Sequence, residues 1–169
     1  MIVLGYIGDH KKDTLRVQAG WALTRFMQTG KHKRVTHTEC VHAGNNYKLC
    51  TIASSSARDK GVRTKENIAL TKGNWKALDV PGWAIEPSKA WFKAFDGCPY
   101  DWLGAAGTKL PFLRNLHYSV YRFFCNETTP KALPNPYLAN AHKYTPSELF
   151  EILERDFGAV DVTDLFFKD

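Results

Sequence analysis

The chain has 169 residues, of which 44% are hydrophobic and 13% aromatic, and this is enough apolar material for one folded core. Four cysteines without a CxxC pair argue against a dense disulfide framework, although their even number leaves a secreted protein open. The net charge of +6 favours an anionic partner or simply keeps the protein dissolved, so charge alone selects no function. We predict a single domain over residues 1–169 that needs no cofactor.

The chain opens with an apolar segment. Residues 1–7 predict a short buried strand, because a membrane span requires about 20 apolar residues. No basic leader with a small-residue cleavage site follows, so we expect no signal peptide and a cytoplasmic protein. Residues 16–27 fit a helix or a strand.

A hairpin is the firmest strand prediction. Residues 35–43 and 47–54 are rich in β-branched and polar side chains, and the Gly-Asn-Asn sequence between them tolerates the positive φ angles of a tight turn. If the two asparagines form the turn, Ser54 lies opposite His37. A slip of one residue would replace Ser54 by Ala53.

The middle of the chain alternates turn signals with apolar patterns. Small polar residues predict a loop, and Pro87 suits the first turn of a helix that Gly97 ends. In chain order we predict a loop over residues 54–61, extended chain at 62–63 and 67–80, a helix from 86 to 97 and a short helix over 100–106.

Two more helices are predicted towards the end of the chain. The helix after Cys125 must be short or kinked, because Pro130 removes a backbone donor and clashes with the preceding turn. The clearest helix signal is the capping box of Thr145 and Glu148, and Gly158 provides the stop.

Cys125 is the candidate nucleophile. It ends an apolar run and begins a polar one, and a thiol at the start of a helix is acidified by the free backbone N–H groups there. His37, on the first strand of the hairpin, is the candidate general base. Glu39 shares a strand face with His37, so we predict that either Glu39 or Ser54 orients the imidazole.

Four motifs follow one another along the chain. They are Thr-His-Thr-Glu at 36–39, the serine- and arginine-containing segment 54–63, Tyr-Asp-Trp-Leu-Gly at 100–104 and Phe-Cys-Asn-Glu at 124–127. Their order resembles the permuted NlpC/P60 papain-like hydrolases of bacteria and phages, in which a histidine on an early strand precedes the cysteine. In that family the cysteine begins a Cys-Ser-Glu type motif, and here Asn126 replaces the serine.

The resemblance implies a papain-like α+β fold with a small antiparallel sheet packed against helices. It also implies that Cys125 and His37 cleave an amide or ester bond through an acyl-enzyme. The implied substrates are a peptide, a peptidoglycan fragment or a lipid-like acyl compound in a bacterium or a phage-infected cell. Chemistry transfers between such relatives better than specificity does.

Tyr100, Asp101 and Arg63 are the candidate substrate-binding residues, and the phenol of Tyr100 is suited to donate to a developing oxyanion. Each has a structural alternative as a core tyrosine, a helix N-cap or an arginine that holds a loop. The other histidines are predicted to be structural or solvated, namely His10, His32, His42, His117 and His142.

Two other functions remain open, whereas a metal site is not expected. His37, Glu39, Cys40, His42 and Cys50 are zinc-ligand types, but strand alternation divides the first four between two faces, so we predict no metal site. A binding module of the same fold would hold an anionic polymer, and its affinity would fall steeply with salt if that polymer were nucleic acid. A lipid-directed acyltransferase would pass the acyl group from Cys125 to an amine or alcohol.

Overall fold

A computed structural model describes residues 1–8, 18, 22, 24–26, 28, 30–44, 46–108, 121–132, 140 and 143–169 of the protein. The described part is a mixed α+β structure built on one six-stranded antiparallel sheet. This confirms the α+β class predicted from the sequence. Most of the segment 16–27, predicted as a helix or a strand, lies outside the described residues.

The apolar start of the chain forms an inner strand of the sheet. The strands are β1 (Ile2–Tyr6), β2 (His37–Ala43), β3 (Cys50–Ser56), β4 (Gly61–Ile68), β5 (Trp75–Asp79) and β6 (Val160–Asp161). Their order is β4-β3-β2-β1-β5-β6. Because β1 has a neighbour on each side and is covered on both faces, Val3 and Leu4 are both fully buried.

The helices whose bounds the structure describes are α1 (Ile85–Ala94), α2 (Trp102–Gly107), α3 (Cys125–Lys131), α4 (Pro146–Phe157) and α5 (Thr163–Phe166). Helix α3 is short, as Pro130 predicts. Helix α4 begins with the predicted capping box and ends at Gly158, whose φ of 65° suits glycine. In the described part of the chain, no helix has the length and apolar character needed to cross a bilayer.

Helices cover both faces of the sheet. On one face Val3 packs against Leu149 of α4, and the neighbouring cluster includes Phe92 of α1. On the other face Leu4 packs with Phe166 of α5. Helix α3 lies on β2 and β3, on the same face as α1 and α4, and this placement brings its first residue to the end of β2.

The hairpin β2–β3 is confirmed, but its predicted register is wrong. Cys40 pairs with Ala53, and continuing this register by one residue places Ser54 beside Glu39 rather than opposite His37. The prediction assumed a two-residue turn, whereas the strands are joined by a longer connection and their pairing contains a bulge. Asn45, one of the two predicted turn residues, lies outside the described residues.

The predicted loop over residues 54–61 is in part strand, because its three serines complete β3. Ser54 Oγ donates to the carbonyl oxygen of Thr38 at 2.6 Å, and Ser55 Oγ donates to that of Phe123 at 2.6 Å. The buried hydroxyls are therefore satisfied by neighbouring backbone groups. This tertiary bonding overrides the loop preference of the serines.

Candidate active site

The side chains of Cys125 and His37 meet at one end of the sheet. Cys125 is the first residue of α3, and the extended backbone of Phe124 precedes it as the N-cap. His37 is the first residue of β2, so its ring can reach past the end of the strand. The charge of the Cys125 side chain and hydrogen bonding to it both raise the pKa of His37, which means that the two side chains lie within interaction distance of each other. The structure thus brings together the residues predicted as nucleophile and base.

Glu39 holds the other side of the His37 ring. Glu39 Oε1 lies 2.9 Å from His37 Nε2, and both residues are buried. They are two positions apart on β2 and therefore share a face. Because Nε2 faces the carboxylate, Nδ1 is the ring nitrogen left for the thiol. Of the two residues predicted to orient the ring, Glu39 is the one in contact with it.

Arg63 fixes Glu39 from strand β4. Arg63 Nη2 donates to Glu39 Oε1 at 2.6 Å, and Arg63 Nε donates to Asp59 Oδ2 at 2.8 Å. Ser54 pairs with Arg63 in the β3–β4 register. Its small side chain therefore lies between Arg63 on β4 and Glu39 on β2, the two partners of the ion pair. Arg63 thus has the structural role that the sequence offered as an alternative to substrate binding.

Burial and charge act in opposite directions on this buried cluster. Burial lowers the pKa of His37, but the charge on Cys125 and the bond to Glu39 outweigh it and raise that pKa to about 9. Burial raises the pKa of Glu39, whereas Arg63 and His37 outweigh it and hold the pKa at about 2. At neutral pH the ring is therefore an imidazolium, which is the form that stabilises a neighbouring thiolate.

The Cys125 thiol lines a narrow cleft. Cys125 is 3% exposed, and the cleft has a volume of about 20 Å³, which is room for about one water molecule. Polar residues, among them Gln28, Tyr100 and Thr145, line it together with the cysteine. The thiol is therefore not enclosed by apolar side chains alone, and an acyl substrate must widen the cleft to reach it.

The two residues that follow Cys125 are tied into the fold. Asn126 Oδ1 lies 3.7 Å from Cys125 Sγ, and the Asn126 amide donates to the carbonyl oxygen of Tyr144. Glu127 forms an ion pair with Lys131 at 2.6 Å, one helical turn further along α3. Asn126 thus connects the start of α3 to the segment that precedes α4.

The predicted substrate-binding residues Tyr100 and Asp101 have different positions. Tyr100 lines the cleft beside Cys125, and burial, together with charges on Cys125 and Asp101, raises its pKa well above the ordinary value. Its phenol therefore stays protonated at neutral pH. Asp101 caps α2, with Oδ1 accepting from the Gly104 N–H at 2.8 Å. This is the structural alternative predicted for Asp101.

The other cysteines differ from Cys125 in their surroundings. All four are free thiols. Burial is the first cause that raises the pKa of Cys40 to about 12 and the pKa of Cys50 to about 11. Both thiols therefore stay protonated at neutral pH. Cys98 is half-buried and is the more accessible competitor for a thiol reagent.

The histidines away from the cluster have structural partners where they are described. His42 Nε2 lies 2.8 Å from Ser88 Oγ, and burial, then Lys89, lowers the His42 pKa to about 4. His32 Nε2 lies 2.8 Å from Glu154 Oε2. No group of three or more His, Cys, Asp or Glu side chains among the described residues is arranged to hold a metal ion. Outside those residues lie His10, His117 and His142.

A larger pocket, of about 290 Å³, is lined by His37 and Glu39 but does not include Cys125. Two of its basic side chains, Arg63 and Lys65, both pair with Asp59, at 2.8 and 2.7 Å. A carbonyl group bound there would not contact the thiol. A reaction at the Cys125 thiol must therefore take place in the narrow cleft.

No protein-family model, curated protein or solved structure matches this chain. The resemblance to the permuted NlpC/P60 hydrolases therefore stays a prediction from the motifs.

Proposed function

We propose that this protein is a cysteine hydrolase of the permuted NlpC/P60 papain-like type, which cleaves an amide or ester bond through an acyl-enzyme on Cys125. The observation that carries the proposal is the two-sided contact of the His37 ring, with the thiol on one side and the Glu39 carboxylate on the other. A nucleophile, a base and an orienting carboxylate in this sequence of contacts form a hydrolytic triad.

Each residue of this cluster has a defined part in the reaction. The Cys125 thiolate attacks the carbonyl carbon, so that a C–S bond forms and the carbonyl electron pair moves onto the oxygen. When the intermediate collapses, the bond to the leaving group breaks and the His37 imidazolium gives that group its proton. Water then attacks the thioester while neutral His37 accepts a proton, and collapse of this second intermediate breaks the C–S bond, which releases the acid product and restores the Cys125 thiolate beside the His37 imidazolium. Glu39 is a positioning residue that keeps the ring in the required orientation.

The proposed substrate is a peptide, a peptidoglycan fragment or a lipid-like acyl compound in the cytoplasm of a bacterium or a phage-infected cell. Four free cysteines fit a reducing compartment. An acyltransferase would use the same first step but release the acyl group to an amine or alcohol, and product analysis distinguishes the two. A binding module for an anionic polymer has less support, because Arg63 and Lys65 are already paired with the two carboxylates of Asp59 and Glu39.

Thiol labelling tests the proposal without knowledge of the substrate. We expect iodoacetamide at neutral pH, followed by peptide mapping, to label Cys125 ahead of Cys40 and Cys50, whose thiols are protonated. A Cys98→Ala variant removes the half-buried competitor and keeps the measurement clear. Labelling of all the thiols at similar rates would contradict the assignment of Cys125 as nucleophile.

A pair of histidine variants supplies the matched control. His37 and His42 both lie on β2, and His42 contacts Ser88 rather than the thiol. We expect His37→Asn to slow alkylation of Cys125 on the order of 10²-fold, and His42→Asn to leave the rate unchanged. Equal slowing by both variants would show that the effect is general destabilisation.

A further inference from the structure

The pocket of about 290 Å³ beside Glu39 lies on the sheet face that α3 does not cover. Two of its lining residues, Ile52 and Leu70, belong to the cluster around Leu4 on that face. Its volume is close to the lower end of the range for small-molecule sites, about 300 Å³. Because the Cys125 thiol does not line this pocket, a ligand bound there would occupy a site distinct from the thiol cleft.

Glu39 has one carboxylate oxygen that is not used within the described part of the chain. Its Oε1 lies 2.9 Å from His37 Nε2 and accepts from Arg63 Nη2 at 2.6 Å. Its Oε2 is buried and has no hydrogen-bond partner among the described residues, and Glu39 lines the pocket while being only 3% exposed. A buried polar atom without a partner is unfavourable. Since an ionised carboxylate can only accept, the partner that Oε2 lacks must bring an O–H or N–H group.

The charges around the pocket favour an anion. Cationic side chains outnumber anionic ones in its lining at neutral pH. The cations are His37, Arg58, Arg63 and Lys65, and the anions are Glu39 and Asp59. Lys65 donates to Asp59 at 2.7 Å, which uses one of the three N–H groups of its ammonium. Pairing with Asp59 therefore leaves further N–H groups of Lys65 for a compact anion inside the pocket.

A phosphate group that retains one proton supplies both the donor and the negative charge. Its P–OH group donates a hydrogen bond, and its other oxygens accept charge-assisted hydrogen bonds from lysine or arginine. A phosphomonoester keeps this proton below its second pKa of about 6. A carboxylate or a sulfate ester has no such proton in its anionic form, so it would leave Glu39 Oε2 without a donor.

We propose that this pocket binds the phosphate group of a small molecule in its singly protonated form, with the P–OH donating to Glu39 Oε2 and Lys65 donating to another phosphate oxygen. The pocket is larger than a phosphate group alone, and the apolar side chains of Ile68, Leu70 and Trp75 contribute to its lining. Such surfaces suit the organic part of a phosphomonoester.

Phenyl phosphate and phenyl sulfate form a matched pair of probes. At a pH of about 5 each is mainly a monoanion with the same phenyl group, but only the phosphate has a proton to donate. Glu39 is ionised at this pH, because Arg63 and His37 hold its pKa at about 2. In calorimetric titrations at constant ionic strength, we expect phenyl phosphate to bind at least about tenfold more tightly than phenyl sulfate.

Glu39→Gln tests the role of the unpaired oxygen. The glutamine amide can place an N–H group where Oε2 was while its oxygen still accepts from Arg63, so we expect the preference for phenyl phosphate to disappear. The ratio of the two affinities is insensitive to partial unfolding, because a smaller folded fraction weakens both apparent affinities equally.

Two lysine variants locate the site. Lys65→Met should weaken both phenyl probes severalfold. Lys76→Met is the matched control, since the Lys76 side chain has a similar exposure, 33% against 37% for Lys65, but pairs with Asp161 and does not line the pocket. We expect Lys76→Met to leave both affinities unchanged, and equal effects of the two variants would contradict the assignment to this pocket.

Inorganic phosphate distinguishes the two sources of the group. Weaker binding than that of phenyl phosphate supports a phosphomonoester, and equally tight binding supports free phosphate at the same site. Equal affinities of the wild type for the two phenyl probes, or no binding of any of the three compounds, would overturn the proposal. These titrations do not involve the thiol, so their outcome is independent of whether Cys125 is a nucleophile.

Discussion

His37 and Glu39 stand two positions apart on β2, and their side chains meet with 2.9 Å between Nε2 and Oε1. Side chains with this spacing share a strand face but project in parallel unless something draws them together. Arg63 has this effect, because its Nη2 donates to the same Oε1 at 2.6 Å. One carboxylate oxygen therefore connects the histidine ring on β2 to Arg63 on β4, across the strand β3 that lies between them.

Replacing Glu39 by glutamine keeps the shape of the side chain and removes its charge. We expect Glu39→Gln to lower the pKa of His37, because the carboxylate is one of the groups that raise it. Alkylation of Cys125 at neutral pH should then slow by about tenfold or more. NMR titration of the His37 ring gives the pKa, and iodoacetamide kinetics give the rate. Glu66→Gln, at an exposed position on β4, is the control, and an unchanged His37 pKa in Glu39→Gln would contradict the prediction.

Arg63 and Lys65 provide a comparison between a buried and a more exposed ion pair with the same partner. The Arg63 side chain is 14% exposed and that of Lys65 is 37% exposed. Arg63→Met removes one of the two cations that contact the buried Glu39 carboxylate, the other being the His37 imidazolium, and we expect this loss to cost about 3 kcal/mol in the free energy of unfolding. Lys65→Met should cost less than about 1 kcal/mol. Urea unfolding measures both values.

The same experiment has a second arm with a conservative change. Arg63→Lys retains the charge, but a single ammonium group cannot reproduce the planar fork that contacts Asp59 and Glu39 together. We expect only partial recovery of stability and of Cys125 reactivity. Equal losses in Arg63→Met and Lys65→Met would show that the contact with Glu39 contributes nothing beyond a surface pair.

The His37 pKa predicts how stability changes with pH. Its value is raised to about 9 from the ordinary 6.5 although burial lowers it, so the stabilisation is complete below pH 6.5 and is lost as the pH rises through about 9. The Glu39 pKa is lowered from 4.5 to about 2, so its stabilisation is complete above pH 4.5 and is lost as the pH falls through about 2. Both contributions are therefore fully present between pH 4.5 and 6.5.

A His37→Asn variant isolates this contribution. We expect the difference in unfolding free energy between wild type and His37→Asn to be largest near pH 6 and to shrink steadily above it, towards its smallest value past the raised pKa of about 9. Denaturant unfolding at a series of pH values measures this difference. A difference that stays constant across the range would mean that the ring is not protonated preferentially in the folded protein.

Local signals in the sequence predicted the parts of the site that local structure determines. The capping box at Thr145 and the short helix limited by Pro130 depend on neighbouring residues only, and both are present. Cys125 at a helix start and His37 on a strand follow from the same kind of signal. That these two side chains meet was inferred from motif order rather than from any local pattern.

The parts that the sequence did not predict depend on residues far apart along the chain. Arg63 pairs with Glu39 because β3 and β4 align in one register, and that register is not encoded in either residue. No sequence pattern indicated that Gln28 lines the cleft, because the position of its amide depends on a hydrogen bond from Ser147, near the other end of the chain. Such contacts become visible only when the strands and helices are placed together.

Substitutions at Ser54 distinguish two roles for this residue. One is the steric role of leaving room for the ion pair, and the other is the orientation of the His37 ring, which the wrong register suggested. Its hydroxyl donates to the carbonyl oxygen of Thr38, so Ser54→Ala should cost about 1 kcal/mol in the free energy of unfolding. Because the small side chain still leaves room for Arg63 to reach Glu39, we expect the alkylation rate of Cys125 to stay at the wild-type value.

Ser54→Leu tests the steric role directly. Ser54 is fully buried and lies beside Arg63, so a leucine there would occupy the space that the ion pair crosses. We expect a loss of about 3 kcal/mol or more from overpacking and from the broken ion pair, together with a lower His37 pKa and slower alkylation of Cys125. If Ser54→Ala instead slows Cys125 as strongly as Glu39→Gln does, the serine hydroxyl acts on the ring after all, and Glu39 is not sufficient to orient it.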